Sequence, residues 1–407
     1  MFPVRIWGAL VALTAAIAWG QAAPNPYAPN GIKIGDGRLH PYFDLEGRYD
    51  SAAGFFNTGQ LAGDIALRFR PGVRFELQND NTSVNFNGNA EYVLFTGLLF
   101  AGARDTSRFQ TDVALDTAFN KLGAVEFQLG DNLTRSDRTN TPGVTVGVIS
   151  LYNNAHLAVP IHPGGRAIEI TPKFSWGVEF FEPLLGTPVG CGATDPLCQA
   201  SQVSQLNYSN LAPGLAARWR FLPKTAVVFD SGVDLRTYFS GTVGKPATVF
   251  HASAGLSGLV TSKISVLATL GYAGEYMGTG LNTLIAQADL GFLPSEGTSI
   301  HIGYVRSVSP APIFGAYGDD RGYLDAKVLL FQRLTLGGNL AFDYLTYYGT
   351  SGRKDTLLTG GVSTGFAFTS WLSAGAGYNL QLRGTNSASA GAAFTRHEVI
   401  LRLTLQY

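Results

Sequence analysis

Past Ala18 this sequence has no run of about twenty apolar residues, so no helix in the rest of the chain can cross a bilayer. Neither charge is in excess: 29 Lys and Arg balance 29 Asp and Glu, which leaves no electrostatic footprint for a nucleic-acid partner. Cysteine is nearly absent. Its two copies, Cys191 and Cys198, share one polar stretch, and in an oxidising compartment they are expected to close it as a disulfide, with free thiols the alternative. No His lies in that stretch, so a metal site there lacks ligands. Glycine, at 50 residues, and aromatics, at 12%, are plentiful.

The N-terminus explains how such a chain leaves the cytoplasm. Arg5 supplies a positive charge, Ile6 to Ala18 is apolar but too short to span a bilayer, and small residues at Gly20 to Ala23 offer a cleavage site. Residues 1–22 are therefore expected to be a signal peptide. Residues 23–37, rich in Pro and Asn at their start, are expected to form a periplasmic N-terminal segment, and 38–407 the folded unit.

One pattern fills that unit. From Leu61 to Leu77 the odd positions include Leu61, Ile65, Leu67, Phe69, Val73, Phe75 and Leu77, while the even ones include Asp64, Arg68, Arg70, Arg74 and Glu76. Such period-two amphipathy far outruns the mean soluble strand of about 5–6 residues. Pro71 interrupts it, so a bulge or kink is expected there. The preceding Leu39 to Asp50 repeats the pattern, with Phe43, Leu45 and Tyr49 against Asp44, Glu46 and Arg48. If the odd face meets lipid, Arg at Leu67 or Phe69 should block insertion, whereas Arg at the even position Ala66 should be tolerated.

Connections alternate in length. Short polar turns are expected at Asn79-Asp80-Asn81, Asn120 to Gly123, His162 to Gly165, Leu222-Pro223-Lys224, Thr261-Ser262-Lys263, Pro294 to Gly297, Gln332-Arg333 and Thr369-Ser370. Longer loops are expected at Ser51 to Gln60, Thr96 to Ser107, Asp131 to Gly147, Glu182 to Gln205, Ser240 to Gly244, Met277 to Gly280, Ser307 to Asp320, Tyr348 to Lys354 and Gly384 to Gly391. Together they predict an all-β, transmembrane, antiparallel up-and-down β-barrel of about 18 strands, with short periplasmic turns and longer extracellular loops, in the cell outer membrane. Trp219, Trp371 and Tyr407 would form an aromatic girdle at the periplasmic interface.

The stretch His397 to Tyr407 is amphipathic and ends on an aromatic, and it resembles the C-terminal signature that outer-membrane assembly machinery recognises. The whole unit looks like the porin-like outer-membrane β-barrel superfamily. More specifically, Gly37 to Phe43, then Glu46-Gly47-Arg48-Tyr49-Asp50, then Leu67 to Val73 with its Arg70-Pro71-Gly72, is similar to barrels associated with exopolysaccharide secretion systems. That resemblance implies a part in exporting a surface polysaccharide, with outer-membrane lipid, the barrel-assembly machinery and periplasmic polysaccharide-export components as partners. A general diffusion porin, or a structural barrel anchoring a motility or adhesion complex, would use the same fold.

Alternation places Asp44, Glu46, Arg48, Arg68, Arg70, Arg74 and Glu76 on the inner face, with Arg402 from the closing strand, and Glu91, Asp112, Asp116 and Glu126 as an acidic wall beside them. The two signs could set a transverse field across a pore, or could be salt-bridged pairs that tie the wall together. Tyr42, Tyr152, Tyr238 and Tyr323 also fall inward but are scattered. No Gly-x-Ser-x-Gly, His-Glu-x-x-His or Walker-type motif accompanies the six histidines, so no catalytic residue, cofactor or metal is expected.

Overall fold

The computed structural model describes residues 30–54, 61–137, 148–184, 202–240, 246–276, 280–295, 297–311, 315–348, 352–386 and 393–407. The expected signal peptide and both cysteines, with their disulfide, lie outside these residues. A short β1 (Ile32–Ile34) precedes β2 (Gly37–Asp50), β3 (Asp64–Gln78), β4 (Thr82–Phe95), β5 (Arg108–Phe119), β6 (Phe127–Ser136) and β7 (Val148–Ala158). Then come β8 (Ile168–Pro183), β9 (Tyr208–Leu222), β10 (Thr225–Tyr238), β11 (Ala247–Leu259), β12 (Ile264–Glu275) and β13 (Asn282–Ser295). The last six are β14 (Thr298–Ala311), β15 (Gly315–Leu330), β16 (Leu334–Tyr348), β17 (Lys354–Ala367), β18 (Leu372–Thr385) and β19 (Phe394–Gln406).

From β2 onward each strand pairs antiparallel with the next, and β19 returns to β2 through Arg402↔Glu46 and its neighbours, closing an 18-stranded up-and-down barrel. Closure leaves no unpaired edge, which is the condition for β-structure to cross lipid. Outside the ring, β1 folds back on β2 as a hairpin, with Ile32 opposite Leu39. Residues 32–34 of the N-terminal segment are therefore paired to the barrel.

The outer surface carries the apolar set of every strand. Phe119, Phe127, Trp219, Phe292, Phe331, Phe366, Trp371 and Tyr407 are exposed near the short-turn rim, and Tyr92, Phe109, Trp176, Tyr272, Tyr304 and Phe342 are exposed towards the other. On β16 the rise from Leu334, level with Phe366, to Tyr344 is ten residues. At about 3.4 Å per residue and a tilt near 40° this gives a height of about 25 Å, the thickness of an outer-membrane apolar band. A closed barrel with such a band is an outer-membrane protein, with its short turns periplasmic.

Three local expectations change. The stretch Ser307 to Asp320 is almost entirely strand, because β14 and β15 stay paired up to Ala311↔Gly315. Asp131 likewise lies inside β6. Both were placed in loops on their polar side chains; the Ser307 to Asp320 stretch is polar because a barrel strand can rise above the bilayer, where both of its faces are wet, whereas Asp131 is an isolated carboxylate within its strand. Pro71 makes no bulge. Register with β2 is unbroken through Phe43↔Pro71, and the ladder with β4 skips from Phe69↔Tyr92 to Gly72↔Asn89 without a shift. The lost donor is accommodated by a gap, across which the Arg70 and Glu91 side chains pair.

Candidate functional site

The inner face is the candidate site, and its character changes with height. Towards the outer end, inward residues of β2, β5, β8, β15, β16 and β19 are buried; towards the periplasmic end, inward Arg74, Glu76, Asp116, Asp325, Lys327, Asn339 and Ser363 are open to water. Part of the burial at the top comes from chain folded back inside the barrel, and part, on β14 to β16, from Ala311, Tyr317, Leu345 and Tyr347 packed on one another. The 3-10 turn Ala101–Thr106 sets Ala103, fully buried, against inward Ala66, Val93 and Phe95. A second turn, Val203–Leu206, packs Val203 and Leu206 on inward Val148, Phe181 and Tyr208. Ala66 therefore faces inward but lies beneath a turn, and an Arg there would be overpacked, against the tolerance expected from the sequence.

Under the first turn lies a continuous ionic wall. Glu46, 1% exposed, accepts from Arg48 Nη2 at 2.5 Å, Arg402 Nη2 at 2.5 Å and Arg68 Nη1 at 3.5 Å. Arg68 Nη2 reaches Glu91 at 2.5 Å, and Arg70 joins Glu91 to Asp44. Arg48 also meets Glu398 at 3.1 Å, while Arg396 holds both Glu398 and Asp50. Five guanidinium groups thus meet five carboxylates along β2, β3, β4 and β19. Each buried charge has the opposite charge it needs, so the arrangement is a tie across the barrel seam and leaves little net field.

The remaining residues singled out from the sequence fall elsewhere on the inner face. Arg74 and Glu76 stand exposed at the periplasmic mouth, with no ion pair among the described residues. Asp112 accepts from Thr134 at 3.1 Å, Asp116 lies 3.6 Å from His156, and Glu126 accepts from Gln128 at 2.8 Å. Of the acidic wall, only Glu91 joins the arginines. Trp219, Trp371 and Tyr407 are more than half exposed at the periplasmic rim, where the Tyr407 amide donates to Pro41.

Two further buried assemblies, one along β8 to β10 and one at β17 and β18, were not singled out. Glu179, fully buried, accepts from Ser150 and from the Tyr208 hydroxyl at 2.7 Å, and Arg236 lies 4.1 Å above the Tyr208 ring while donating to the Pro310 carbonyl at 3.1 Å. Asp355 binds Arg353 at 2.6 Å and Arg383 at 2.8 Å, and Arg353 covers the Tyr347 ring. Parity carried down β9 from Trp219 and down β16 from Leu340 would have turned Tyr208 and Tyr347 inward. Tyr317, whose ring is tilted against that of Tyr347, was hidden because it was assigned to a loop. Lower down, Asp230 takes Lys173 and His251, and Asp289 takes His301 and the Tyr323 hydroxyl. Among the described residues no cluster of three or more His, Cys, Asp or Glu could hold a metal ion.

No protein-family model and no curated protein matches this sequence. Solved structures of similar fold include OpdK of Pseudomonas aeruginosa, at 11% identity over 91% of this chain and 99% of that one with a TM-score of 0.45. OccAB3 of Acinetobacter baumannii, at 8% identity over 92% and 100% of the two chains, scores 0.45. The siderophore receptor PirA of Pseudomonas aeruginosa, at 8% identity over 92% and 81%, scores 0.46. The strand pairing described above, a closed 18-stranded antiparallel up-and-down barrel, is by itself the architecture of an outer-membrane β-barrel.

Proposed function

We propose that this outer-membrane barrel is a passive diffusion channel for small polar solutes. The observation that carries the reading is the change in burial along a single inner face. On β5, Arg108 and Gln110 are buried at the outer end while Asp116 is exposed nearer the periplasm, and on β15 Asp319 is buried while Asp325 and Lys327 are exposed. Such a wall describes a wide, wet periplasmic vestibule below a constriction built from the turns Ala101–Thr106 and Val203–Leu206. A constriction of packed polar and aromatic groups suits passage of small solutes one at a time. Polysaccharide export, which rested on resemblance in the opening strands, gains no support from this geometry, and the diffusion-porin alternative is the better founded.

The test is conductance. Full-length protein refolded from denaturant and inserted into a planar bilayer should open discrete, stable steps in potassium chloride, and proteoliposomes should swell in isotonic small sugars or amino acids. Correctly folded barrel that is electrically silent and does not swell would refute the reading and favour a structural role.

A further inference from the structure

One inward carboxylate stands apart from the paired charges. Asp319 on β15 is 6% exposed, and its Oδ1 is buried with no hydrogen-bond partner among the described residues. Nearly all buried polar groups in folded proteins are satisfied, so an orphan carboxylate oxygen calls for a ligand. The neighbouring inward positions supply more oxygen: Ser307 lies directly opposite on β14, Ser309 lies opposite Tyr317, and Asp343 on β16 is one diagonal step away, opposite Arg321. Arg321 Nη1 pairs with Asp343 at 3.3 Å, and no salt bridge reaches Asp319 among the described residues, so of these two carboxylates Asp319 is the unpaired one. Resting on the channel reading, we infer that Asp319 holds a monovalent cation in the outer lumen, and that the channel favours cationic solutes.

Charge count selects the ligand. One unpaired carboxylate matches an alkali ion or the ammonium head of a small amine, whereas a divalent ion would lack ligands, since the second carboxylate, Asp343, is already paired with Arg321. Carboxylate and hydroxyl oxygens are hard donors suited to either, and the Tyr317 ring beside the site can face an ammonium.

Thermal unfolding of the detergent-refolded full chain tests the site without requiring conduction. At constant ionic strength, replacing N-methylglucamine chloride by potassium chloride or by methylammonium chloride should raise the midpoint of the wild type, because a ligand bound only to the native state stabilises it. Asp319→Asn should abolish that rise, and the milder Ser307→Ala should weaken it should the Asn variant fold poorly. A response to potassium alone identifies an alkali site, and one to methylammonium alone an amine site. Equal midpoints in all three salts, or an unchanged response in both variants, would overturn the inference. In bilayers under a potassium chloride gradient, the wild-type reversal potential should report cation selectivity that Asp319→Asn reduces several-fold. Silent bilayers together with an intact salt response would sink the channel reading and keep the site.

Discussion

Glu46 is the keystone of the seam, and its removal can be worked through in some detail. Its carboxylate is shared by Arg48, Arg68 and Arg402 on three strands, one of which is the closing strand. In Glu46→Ala, Arg48 keeps Glu398 and Arg68 keeps Glu91, but Arg402 is left without a carboxylate among the described residues. Breaking a buried pair by removing one partner costs about 3–5 kcal/mol. Two of the three arginines keep partners and Arg402 is partly hydrated, so the loss should fall near the lower figure. Equilibrium unfolding in urea, with the barrel folded into lipid vesicles, measures it as a drop in midpoint. Arg402→Met on the Glu46→Ala background should restore part of the loss, because the stranded cation is gone, whereas Arg74→Ala at the water-filled mouth should lie within about 0.5 kcal/mol of wild type. A loss below about 1 kcal/mol for Glu46→Ala, or no restoration in the double variant, would mean that the arginines are solvated and that the seam is held by its backbone ladder alone.

Other consequences follow from the same map. Phe69→Arg on the lipid face should lower folding stability in vesicles by about 2–4 kcal/mol, while Asn339→Arg, inward and wet, should fold like the wild type; equal behaviour would overturn the face assignment. Ala103→Phe, at the fully buried position of the inner turn that meets the wall, should cost about 1–3 kcal/mol by overpacking and should raise single-channel conductance by displacing the turn from the wall; unchanged conductance would remove that turn from the constriction. Asp131 is an outward carboxylate within the apolar band, flanked in register by Leu115 and Ala155 and bonded by Asn153 at 2.9 Å. Asp131→Leu should leave vesicle-folded barrel as stable or up to about 2 kcal/mol more stable, and a clear loss of stability would show that the Asp131–Asn153 pair is needed in the membrane.

Much of this was legible in the residue order. Lipid on one side and water on the other force each strand to alternate, so the inner positions of Glu46, Arg68 and Asp112, and the outer positions of Phe69 and Leu403, follow from parity alone. Turn chemistry did the same for connections such as Leu222-Pro223-Lys224, which fixed the strand count. Where both faces meet water the alternation fades, and that is why β14 and β15 were cut short and Tyr317 and Asp319 were lost to a loop.

Alternation says which wall a charge joins and nothing about its partner. That five arginines and five carboxylates meet across the seam depends on register: Arg402 lies opposite Glu46 because β19 and β2, distant in sequence, close at that offset. The same holds for the constriction, since nothing in Ala101 to Thr106 marks it as chain that turns inward rather than standing above the rim. The sequence by itself therefore determined a membrane barrel of this size with a charged interior. Only the tertiary structure decided that most of those charges cancel, that the outer half of the lumen is packed, and that Asp319 Oδ1 is left without a partner among the described residues, because each is a relation between residues brought together by closure.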